Sequence, residues 1–570
     1  MDKIWLKQYP AGVPAEVDVD RFSSLVALLD DSFVRHAALP AFRFRGRDIG
    51  FAQVAADSRA LAAWLQAQGL QRGDRVAVML PNLPQYPVAV AAILRAGLVV
   101  VNINPQYTPR ELQYQLADSG ARAIFVLENC AATLAAVQGQ VPTLKVVLCA
   151  TGDMLGGVRG ALADFAQRHL RKAVPHFELP GATRFNDAVV RGAALQLRDS
   201  AVGPHDMAVL QYTGGTTGLS KAAVLLHRNL VANLLQAEAW NLPALRRIPA
   251  GEQPVSVSVL PLYHIFGFNS HMLMGLRRGA CSILIPDPRD LAGLLKTLSQ
   301  ERFHHFAAVN TLFHALATHP DFDRVDWSHL VLSIGGGTAV RPVTARLWLE
   351  RTGCPICEGY GLTEASPTVT CNPVDANAYS GTVGVPLPGT DIQLLDDDGA
   401  VVARGAAGEV AVRGPQVMAG YWQRPQETAQ VMTADGYLRT GDIGTLDERG
   451  HLHIVDRKKD IILVSGFSVY PAEVEAVLMQ MPGVLEAGAV GVADAHSGEV
   501  VKAVLVRRDA TVTEAAVRSW CETHLTGYKR PRVVEFRGQL PKSQVGKVLR
   551  RELRDPPAPV APAEPAPLAH

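Results

Sequence analysis

The sequence predicts an α/β fold, with a large N-terminal region of α/β layers, an antiparallel β region after it and a small C-terminal α/β unit. Three observations lead to this fold class. Short β-branched runs alternate with helical patterns over residues 51–150, and the same alternation is found over residues 207–364. After about residue 380 the helical patterns give way to short strand patterns separated by close turns. Alternating strands and helices are typical of a mostly parallel sheet that carries helices on its faces.

Within the alternating regions, continuous apolar runs predict buried strands and apolar positions at helical spacing predict helices. The predicted strands are 75–80, 98–102, 123–127, 255–260, 282–285, 305–309 and 330–334. The predicted helices are 60–70, 88–94 and 229–240.

Beyond about residue 380 the predicted strands are shorter and Gly-containing turns follow one another closely, which indicates an antiparallel β subdomain over about 380–455. The charged stretch Asp456–Asp460 then marks a boundary. We therefore expect an N-terminal domain over 1–455 and a C-terminal domain over 456–555. The remaining residues, 556–570, contain six prolines and are expected to form a disordered tail.

The composition excludes several classes of protein. Of the 570 residues, 48% are hydrophobic and 19% are charged, so the chain can bury a substantial core. A net charge of +1 argues against a nucleic-acid-binding protein, which needs a large basic excess. The seven cysteines are scattered, and the pair Cys354 and Cys357 has no second pair at zinc spacing, so ordinary reduced thiols are favoured over a metal or redox site.

Targeting and membrane segments are not predicted. No basic stretch leads into an apolar core near the first residues, so we expect no signal peptide. The most apolar run, Val88 to Leu94, ends at Arg95 and is far shorter than the ~20 residues of a transmembrane helix. These features predict a cytoplasmic protein that at most rests on a membrane surface.

The strongest motif is Tyr-Thr-Gly-Gly-Thr-Thr-Gly-Leu-Ser-Lys at 212–221. Its three glycines allow backbone N–H groups to converge, and Thr213, Thr216, Thr217 and Lys221 add further donors, which is the chemistry of a phosphate-binding loop. Leu219 follows Gly218 where a Walker A loop has Lys, so this is not a P-loop of that type. A flexible Gly/Thr turn between a strand and a helix is the alternative.

Three further motifs are weaker when each is taken alone. In Gly359–Ser366, Tyr360 could stack on a flat base and Glu364 could hold Mg²⁺, or the segment is an ordinary turn with a surface carboxylate. In Arg439-Thr-Gly-Asp442, Asp442 could accept hydrogen bonds from ribose or be an ordinary turn residue. The basic stretch around 541–551 suits a polyphosphate ligand, although a solvated basic helix has the same composition.

Taken together and in this order, the motifs resemble the adenylate-forming superfamily of acyl-CoA synthetases, adenylation domains and luciferases. The segments that carry the resemblance are Thr213–Lys221, Gly359–Glu364, Thr440–Asp442, Asp456–Lys459 and Pro541–Lys547. Within the superfamily the chain is most similar to bacterial long-chain fatty acyl-CoA synthetases, on residues 107–111, 260–265, 414–423 and 464–471. The resemblance covers about residues 20 to 555.

The resemblance implies a large N-terminal domain, a small mobile C-terminal α+β domain and a two-step reaction. A long-chain fatty acid attacks the α-phosphorus of ATP, which gives acyl-AMP and pyrophosphate, and the thiol of coenzyme A then displaces AMP. Activation of this kind supplies β-oxidation or lipid synthesis. Mg²⁺ is the implied cofactor. A homodimer and a peripheral contact with the inner face of the cytoplasmic membrane are further expectations.

The resemblance also implies a role for particular residues. The expected catalytic residues are Lys547, Glu364, Thr363 and His264, with Glu364 and Thr217 also expected at the metal. The expected ATP-binding residues are Thr213, Gly214, Gly215, Thr216, Thr217, Gly218, Lys221, Gly335, Gly336, Gly337, Glu358, Gly359, Tyr360, Asp442 and Arg457. The expected hinge is Asp456, and Ser465, Gly466 and Phe467 are expected at the coenzyme A channel. Phe268 is expected either as an aromatic gate of the acyl tunnel or as a core phenylalanine.

Other functions remain as alternatives at this point. The acid could be a medium-chain or aryl acid, or the acceptor could be a carrier-protein thiol. A second alternative is a catalytically inactive homologue that binds only nucleotide or lipid. The presence of Lys547, Glu364 and Asp442, which the resemblance assigns to catalysis and ATP binding, argues against it. This sequence departs from the family pattern at two positions, with Ser220 where Pro is frequent and Ala222 where Gly is usual. Both lie at the edge of the loop, and we expect the protein to tolerate them.

Overall fold

The computed structural model describes residues 3–141, 144–213, 220–465, 467–494, 497–543 and 546–554. It has a mixed α/β fold, as the sequence predicts. The strands are β1 Pro40–Phe44, β2 Arg47–Gly50, β3 Arg75–Met79, β4 Val99–Asn102, β5 Ala123–Leu127, β6 Lys145–Cys149, β7 Thr183–Arg184, β8 Met207–Tyr212, β9 Ala222–Leu226, β10 Val255–Ser258, β11 Cys281–Leu284, β12 His305–Ala308, β13 Leu332–Gly335, β14 Ile356–Gly361, β15 Thr368–Cys371, β16 Val385–Pro386, β17 Asp391–Leu395, β18 Gly408–Arg413, β19 Gly420–Tyr421, β20 Leu438–Leu446, β21 Leu452–Arg457, β22 Ile462–Val464, β23 Phe467–Val469, β24 Val484–Asp494, β25 Gly498–Arg507 and β26 Val533–Phe536.

Helices cover most of the connections between these strands. They are α1 Leu25–Arg35, α2 Phe51–Ala67, α3 Gln85–Arg95, α4 Pro109–Ser119, α5 Ala131–Ala135, α6 Gly157–Phe165, α7 Phe185–Ala193, α8 His227–Leu245, α9 Ile265–Gly267, α10 Met274–Arg278, α11 Leu291–Leu298, α12 Asn310–Ala317, α13 Pro342–Thr352, α14 Pro425–Val431, α15 Pro471–Leu478, α16 Glu514–His524 and α17 Arg551–Arg554. Wider π-type turns follow α6 and α9, at Ala166–Leu170 and Phe268–Leu273.

Two large sheets contain the strands predicted from apolar runs. One has the order β19-β9-β8-β4-β3-β5-β6-β7 and the other has the order β16-β15-β14-β13-β12-β10-β11-β1-β2. Neighbours from β3 to β6 and from β10 to β14 pair in parallel, as expected for strands joined by helices. Helix α3 is buried along its whole length, which explains its nearly continuous apolar sequence.

One element differs from the prediction. The segment after the Gly/Thr loop was expected to lead into a helix, but Ala222–Leu226 forms β9, which pairs antiparallel with β8. The loop therefore connects two antiparallel strands, and α8 begins only at His227. The short run Ala-Ala-Val-Leu-Leu is apolar throughout and directly precedes the helix, so its pattern alone does not separate it from the helix.

Contacts divide the chain into two compact units. The first consists of the described residues within Met1–Gln393, Ala411–Thr440 and Leu446–His453, and the second of those within Leu394–Val410, Gly441–Thr445 and Ile454–His570. A four-stranded sheet has the order β17-β18-β20-β21. In the second unit, β23-β22-β25-β24 form a sheet, with β26 parallel to β25. The predicted tail 556–570 lies outside the described residues.

Among the described residues, no helix is long and apolar enough to cross a membrane. All seven cysteines have free thiols, and Cys354 and Cys357 are buried.

Buried histidines make the stability of the fold sensitive to acid. The side chain of His271 is inaccessible to solvent, and burial lowers its pKa to about 3; burial also lowers the pKa of His305 to about 4. The unfolded chain, in which histidine has a pKa of about 6.5, therefore takes up protons below pH 6.5 before the folded chain does, and stability falls as pH falls.

We expect His271→Leu to reduce this acid sensitivity. At pH 5 the wild-type His271 should cost about 2 kcal/mol of folding free energy, a cost that the variant does not have. The measurement is the difference between the thermal midpoints at pH 7 and pH 5, with the exposed His176→Leu as a matched control. A pH dependence identical in His271→Leu and wild type would contradict the prediction.

Candidate active site

The two ends of the Gly/Thr loop are held together in the first unit. The backbone N–H of Thr213 donates to the carbonyl of Lys221 at 2.9 Å, which closes the hairpin between β8 and β9. Of the predicted loop residues, Gly214, Gly215, Thr216, Thr217 and Gly218 lie outside the described residues, so their roles stay predictions.

Lys221 and Glu364 both contact Tyr421. The Lys221 ammonium forms an ion pair with Glu427 and lies 5.3 Å from the ring centre of Tyr421. The Tyr421 hydroxyl donates to Oε1 of Glu364 at 2.8 Å. Tyr421 is positioned by β19, in which it pairs with Ala223, the second residue of β9, next to Lys221. The predicted phosphate-binding lysine and the predicted metal-binding carboxylate are therefore close together.

Glu364 and Thr363 lie on a tight turn that follows β14. The turn is one of 3₁₀ type over Thr363–Ala365, and the carbonyl of Glu364 accepts from the N–H of Met418 at 2.7 Å. Both side chains remain partly accessible to solvent. The turn fixes the backbone of Glu364, while one carboxylate oxygen is oriented by Tyr421.

The predicted adenine-binding residues lie at the adjacent ends of β13 and β14. Gly335 pairs with Glu358 across these parallel strands. A Cβ at Gly335 would lie 2.6 Å from Val340 and 2.7 Å from Ile356, so only glycine fits there. Gly336 faces the ring of Phe266, and Gly337 has a φ of +77°, which favours glycine.

Glu358 is buried, and burial raises its pKa to about 7. Its Oε1 accepts from the N–H of Val340 at 2.9 Å, and its Oε2 lies 3.1 Å from the Tyr379 hydroxyl. The following residues, Gly359 and Tyr360, pair with β15. Glu358 therefore fixes the backbone after Gly337, and its position favours a structural role at the edge of the predicted nucleotide pocket.

His264 and Phe268 flank the short helix α9, one at each end. Nδ1 of His264 accepts from the N–H of Phe266 at 3.3 Å, so the neutral ring carries its proton on Nε2. Burial lowers the pKa of His264 to about 4, and the ring is therefore neutral at pH 7. Phe268 has no solvent-accessible surface and packs in the largest apolar cluster. Its packing is that of a core residue, and a gating role stays a prediction.

In the second unit, Asp442 and Arg457 form a close ion pair. Nε of Arg457 lies 2.6 Å from Oδ1 of Asp442, whose side chain is only 5% exposed. The preceding Gly441 has a φ of +73° and donates its N–H to Glu409 at 3.2 Å. The turn at Gly441 orients the carboxylate of Asp442, and the ion pair places the Arg457 guanidinium beside it. Their roles in ATP binding stay predictions.

The predicted hinge residue Asp456 is held by three donors. Its Oδ1 accepts from the N–H of Arg457 at 2.8 Å and from Nη1 of Arg550 at 2.7 Å, and its Oδ2 accepts from the N–H of Ala472 at 2.6 Å. Arg550 also binds Glu475 through Nε and Nη2, at 3.1 and 2.9 Å. These bonds connect the end of β21 and helix α15 to the segment that carries Lys547.

Lys547 lies on a tight turn between Lys542 and Val548, which form an antiparallel bridge. Its N–H donates to Oγ of Ser543 at 3.1 Å. Dehydration by surrounding atoms lowers the pKa of Lys547 to about 8, and the charge of Arg457 adds to the fall while that of Asp442 opposes it. Part of the side chain is exposed, so solvent screening weakens these effects.

The predicted coenzyme A residues Ser465 and Phe467 lie on either side of Gly466, which is outside the described residues. Ser465 has a φ of +52°, and its N–H donates to the carbonyl of Ser497 at 2.7 Å. Phe467 is 56% exposed and stacks on Tyr528 with ring centres 4.8 Å apart. An exposed aromatic beside a strained backbone is unusual in a purely structural turn.

Sequence reasoning missed several residues that support the site: Tyr421, Glu427, Tyr379, Arg550 and Glu475. Each acts through a partner far away in the sequence; Tyr421 and Glu364 are 57 positions apart and Arg550 and Asp456 are 94 apart. The only local signal is for Tyr421, which lies in the Gly-Tyr-Trp-Gln stretch already used for the resemblance.

Two family models match this chain. Residues 29–422 match the family described as AMP-binding enzyme, and residues 473–547 match the AMP-binding enzyme C-terminal domain. The long-chain-fatty-acid–CoA ligase of Salmonella typhimurium LT2 is 50% identical over 97% of this chain and 98% of its own length. The feruloyl-CoA synthase of an Amycolatopsis species is 34% identical over 90% of this chain and 95% of its own.

Among solved structures, ATP-bound MatB from Rhodopseudomonas palustris superimposes with a TM-score of 0.76 and 30% identity, covering 93% of this chain and 98% of that one. The match extends over both compact units of the chain. The chain therefore belongs to the family of AMP-binding enzymes.

Proposed function

We propose that this protein joins a long-chain fatty acid to coenzyme A through an acyl-adenylate, with release of AMP and pyrophosphate. The observation that carries the proposal is the 50% identity with a long-chain-fatty-acid–CoA ligase over 97% of the chain. The two family models, over residues 29–422 and 473–547, cover the segments of the Gly/Thr loop and of Lys547.

The first step brings two anions together, a carboxylate and a triphosphate. No general base is needed, because a carboxylic acid is ionised at pH 7. Lys221 at the end of the Gly/Thr loop neutralises the terminal phosphates, and Lys547 neutralises charge that builds between the carboxylate and the α-phosphate. Asp442 accepts the ribose hydroxyls, and Gly335–Gly337 with Tyr360 hold the adenine. Catalysis is then positioning and electrostatic stabilisation.

Mg²⁺ fits the residues around Glu364. The Glu364 side chain is partly accessible to solvent, and Mg²⁺ is commonly held by one or two carboxylates together with phosphate oxygens and water. One oxygen of Glu364 is bound by Tyr421, and the other is available to a metal. When bound, Mg²⁺ supplies charge neutralisation at the phosphates.

The second step requires a thiol to approach the acyl-adenylate. A domain movement about Asp456 removes Lys547 and brings Ser465–Phe467 to the pantetheine. The bonds from Arg550 to Asp456 and Glu475 tie the segment of Lys547 to the predicted hinge residue within the second unit. A peripheral contact with the inner face of the cytoplasmic membrane completes the proposal, since long-chain acids partition into bilayers. A homodimer stays an expectation from the resemblance.

The test is pyrophosphate release in the presence of ATP, Mg²⁺ and coenzyme A, measured with fatty acids from short to long and with benzoate and ferulate. We expect release that depends on the acid, is greatest with long chains and is matched by acyl-CoA. Reactions without acid or without ATP are the controls.

Three other results of this assay would each contradict one part of the proposal. Release only with aromatic or short acids would contradict the long-chain substrate. Release without acyl-CoA would contradict coenzyme A as the acceptor. Absence of release with every acid would contradict the ligase activity.

A further inference from the structure

Residues 157–170 form a helix whose apolar side faces solvent, and Arg171 and Lys172 directly follow its last turn. Helix α6 continues through the π-type turn Ala166–Leu170. Val158 is 76% exposed, Leu162 62% and Phe165 53%. Their spacings of four and three residues place them on one face of the helix. We call residues 157–172, the helix together with Arg171 and Lys172, the apolar helix.

The opposite face of the apolar helix, small and polar, packs on the protein. Gly160 is buried, and a Cβ on it would lie 2.5 Å from the carbonyl of Gly152, so the two backbones touch. Oδ1 of Asp164 accepts from the N–H of Gly152 at 2.7 Å. A surface helix ordinarily turns its apolar face to the core, and here that orientation is reversed.

The exposed apolar side chains of this helix form a concentrated group. Four of the thirteen strongly exposed large apolar side chains in the described part of the chain lie between Val158 and Leu170. Scattered single apolar residues are normal on a protein surface, but a contiguous group marks a contact surface.

Charge indicates the kind of partner. The apolar helix contains four basic residues and one acidic residue, a net charge of +3. Arg159, Arg171 and Lys172 are exposed, whereas Arg168 binds the buried Glu128. Exposed apolar side chains flanked by basic ones suit the interface of a bilayer that contains anionic lipids.

We propose that the apolar helix is the surface by which this protein lies on an anionic membrane. Val158, Leu162 and Phe165 enter the boundary between headgroups and acyl chains, and Arg159, Arg171 and Lys172 bind the lipid phosphates. The inference deepens the membrane contact of the proposed function, on which it rests, by naming its surface. A position at the bilayer gives the enzyme access to acids dissolved in the membrane.

The test is co-sedimentation with vesicles of phosphatidylcholine containing about a third phosphatidylglycerol. We expect Leu162→Ser/Phe165→Ser to lower the vesicle affinity about tenfold or more. Arg171→Gln/Lys172→Gln should lower it by roughly fivefold for each charge, with a weaker salt dependence. Val34→Ser/Val343→Ser, which changes two exposed apolar residues elsewhere, is the matched control and should bind as wild type does.

Several results would overturn the proposal. These are absence of wild-type binding, equal binding by Leu162→Ser/Phe165→Ser and wild type, and equal loss in the Val34→Ser/Val343→Ser control. If the wild type binds no vesicles but Leu162→Ser/Phe165→Ser changes its oligomeric state, the surface is a protein interface instead.

Ligation of a water-soluble medium-chain acid separates this inference from the proposed function. Leu162→Ser/Phe165→Ser should ligate such an acid at the wild-type rate, because the apolar helix has no part in the chemistry, and this result also shows that the variant is folded. If the wild type binds vesicles but ligates no acid, the ligase activity is refuted and the assignment of the apolar helix as the membrane-binding surface is not.

Discussion

Lys547→Met should lower the rate of acyl-adenylate formation by about 10²–10³-fold, the typical effect of removing a preorganised group that stabilises transition-state charge. The approach of a carboxylate to the α-phosphate concentrates negative charge, and the lysine is the residue assigned to offset it. Formation of the thioester from a preformed acyl-adenylate should fall much less, because the proposed movement has by then removed Lys547. The two half-reactions are measured separately by rapid quench.

Lys542→Met is the matched control for this variant. Lys542 lies on the same turn but forms an ion pair with Glu486 at 2.6 Å, and its loss should leave both half-reactions near wild type. Equal losses of the two half-reactions in Lys547→Met would contradict the assignment. The pKa of about 8 also predicts a pH dependence. The kcat/KM of adenylation should fall as pH rises through this value, because Lys547 loses its positive charge. This fall should disappear in Lys547→Arg, since arginine stays charged.

Glu364→Gln should have the second large effect, a loss of about 10²-fold in adenylation rate together with a higher Mg²⁺ requirement. The amide keeps the size of the side chain and can still accept from Tyr421, but it is a poor ligand for a hard cation. The measurement is the initial rate of pyrophosphate release over a range of Mg²⁺ concentrations.

Tyr421→Phe separates metal binding from orientation of the carboxylate. It removes the hydrogen bond to Glu364 and keeps the carboxylate, so we expect about a tenfold rise in the Mg²⁺ concentration needed for half-maximal rate, with the maximal rate nearly kept. If Glu364→Gln had an unchanged Mg²⁺ dependence, the carboxylate would not be the metal ligand.

Much of the fold could be predicted because its central strands are buried on both faces. The runs at 75–79 and 123–127 are apolar at almost every position, as strands of a covered parallel sheet must be. Strand β9 was missed because its five apolar residues run directly into α8, and only pairing with β8 separates the two elements.

The candidate site could be predicted only where its residues form compact motifs. Glycines at 335–337 and the turn at Thr363–Glu364 carry local signals. Arg550 does not: it looks like one more charge in a basic stretch, and its contacts with Asp456 and Glu475 depend on the tertiary fold.

The apolar helix shows the same limit of sequence reasoning. Its sequence has both an apolar and a polar face, and a helix of this pattern would ordinarily bury the apolar one. The contact between Gly152 and Gly160 and the hydrogen bond from Gly152 to Asp164, both of which depend on the tertiary fold, establish which face packs inward.

The central claim is that the carboxylate oxygen attacks the α-phosphorus of ATP. The most direct measurement uses a long-chain fatty acid labelled with ¹⁸O in its carboxyl group, followed by mass spectrometry of the nucleotide and phosphate products after acyl-CoA has formed. Attack at the α-phosphorus predicts one ¹⁸O atom in AMP and none in pyrophosphate. Label in inorganic phosphate, with ADP as the nucleotide product, would show attack at the γ-phosphorus and contradict the acyl-adenylate.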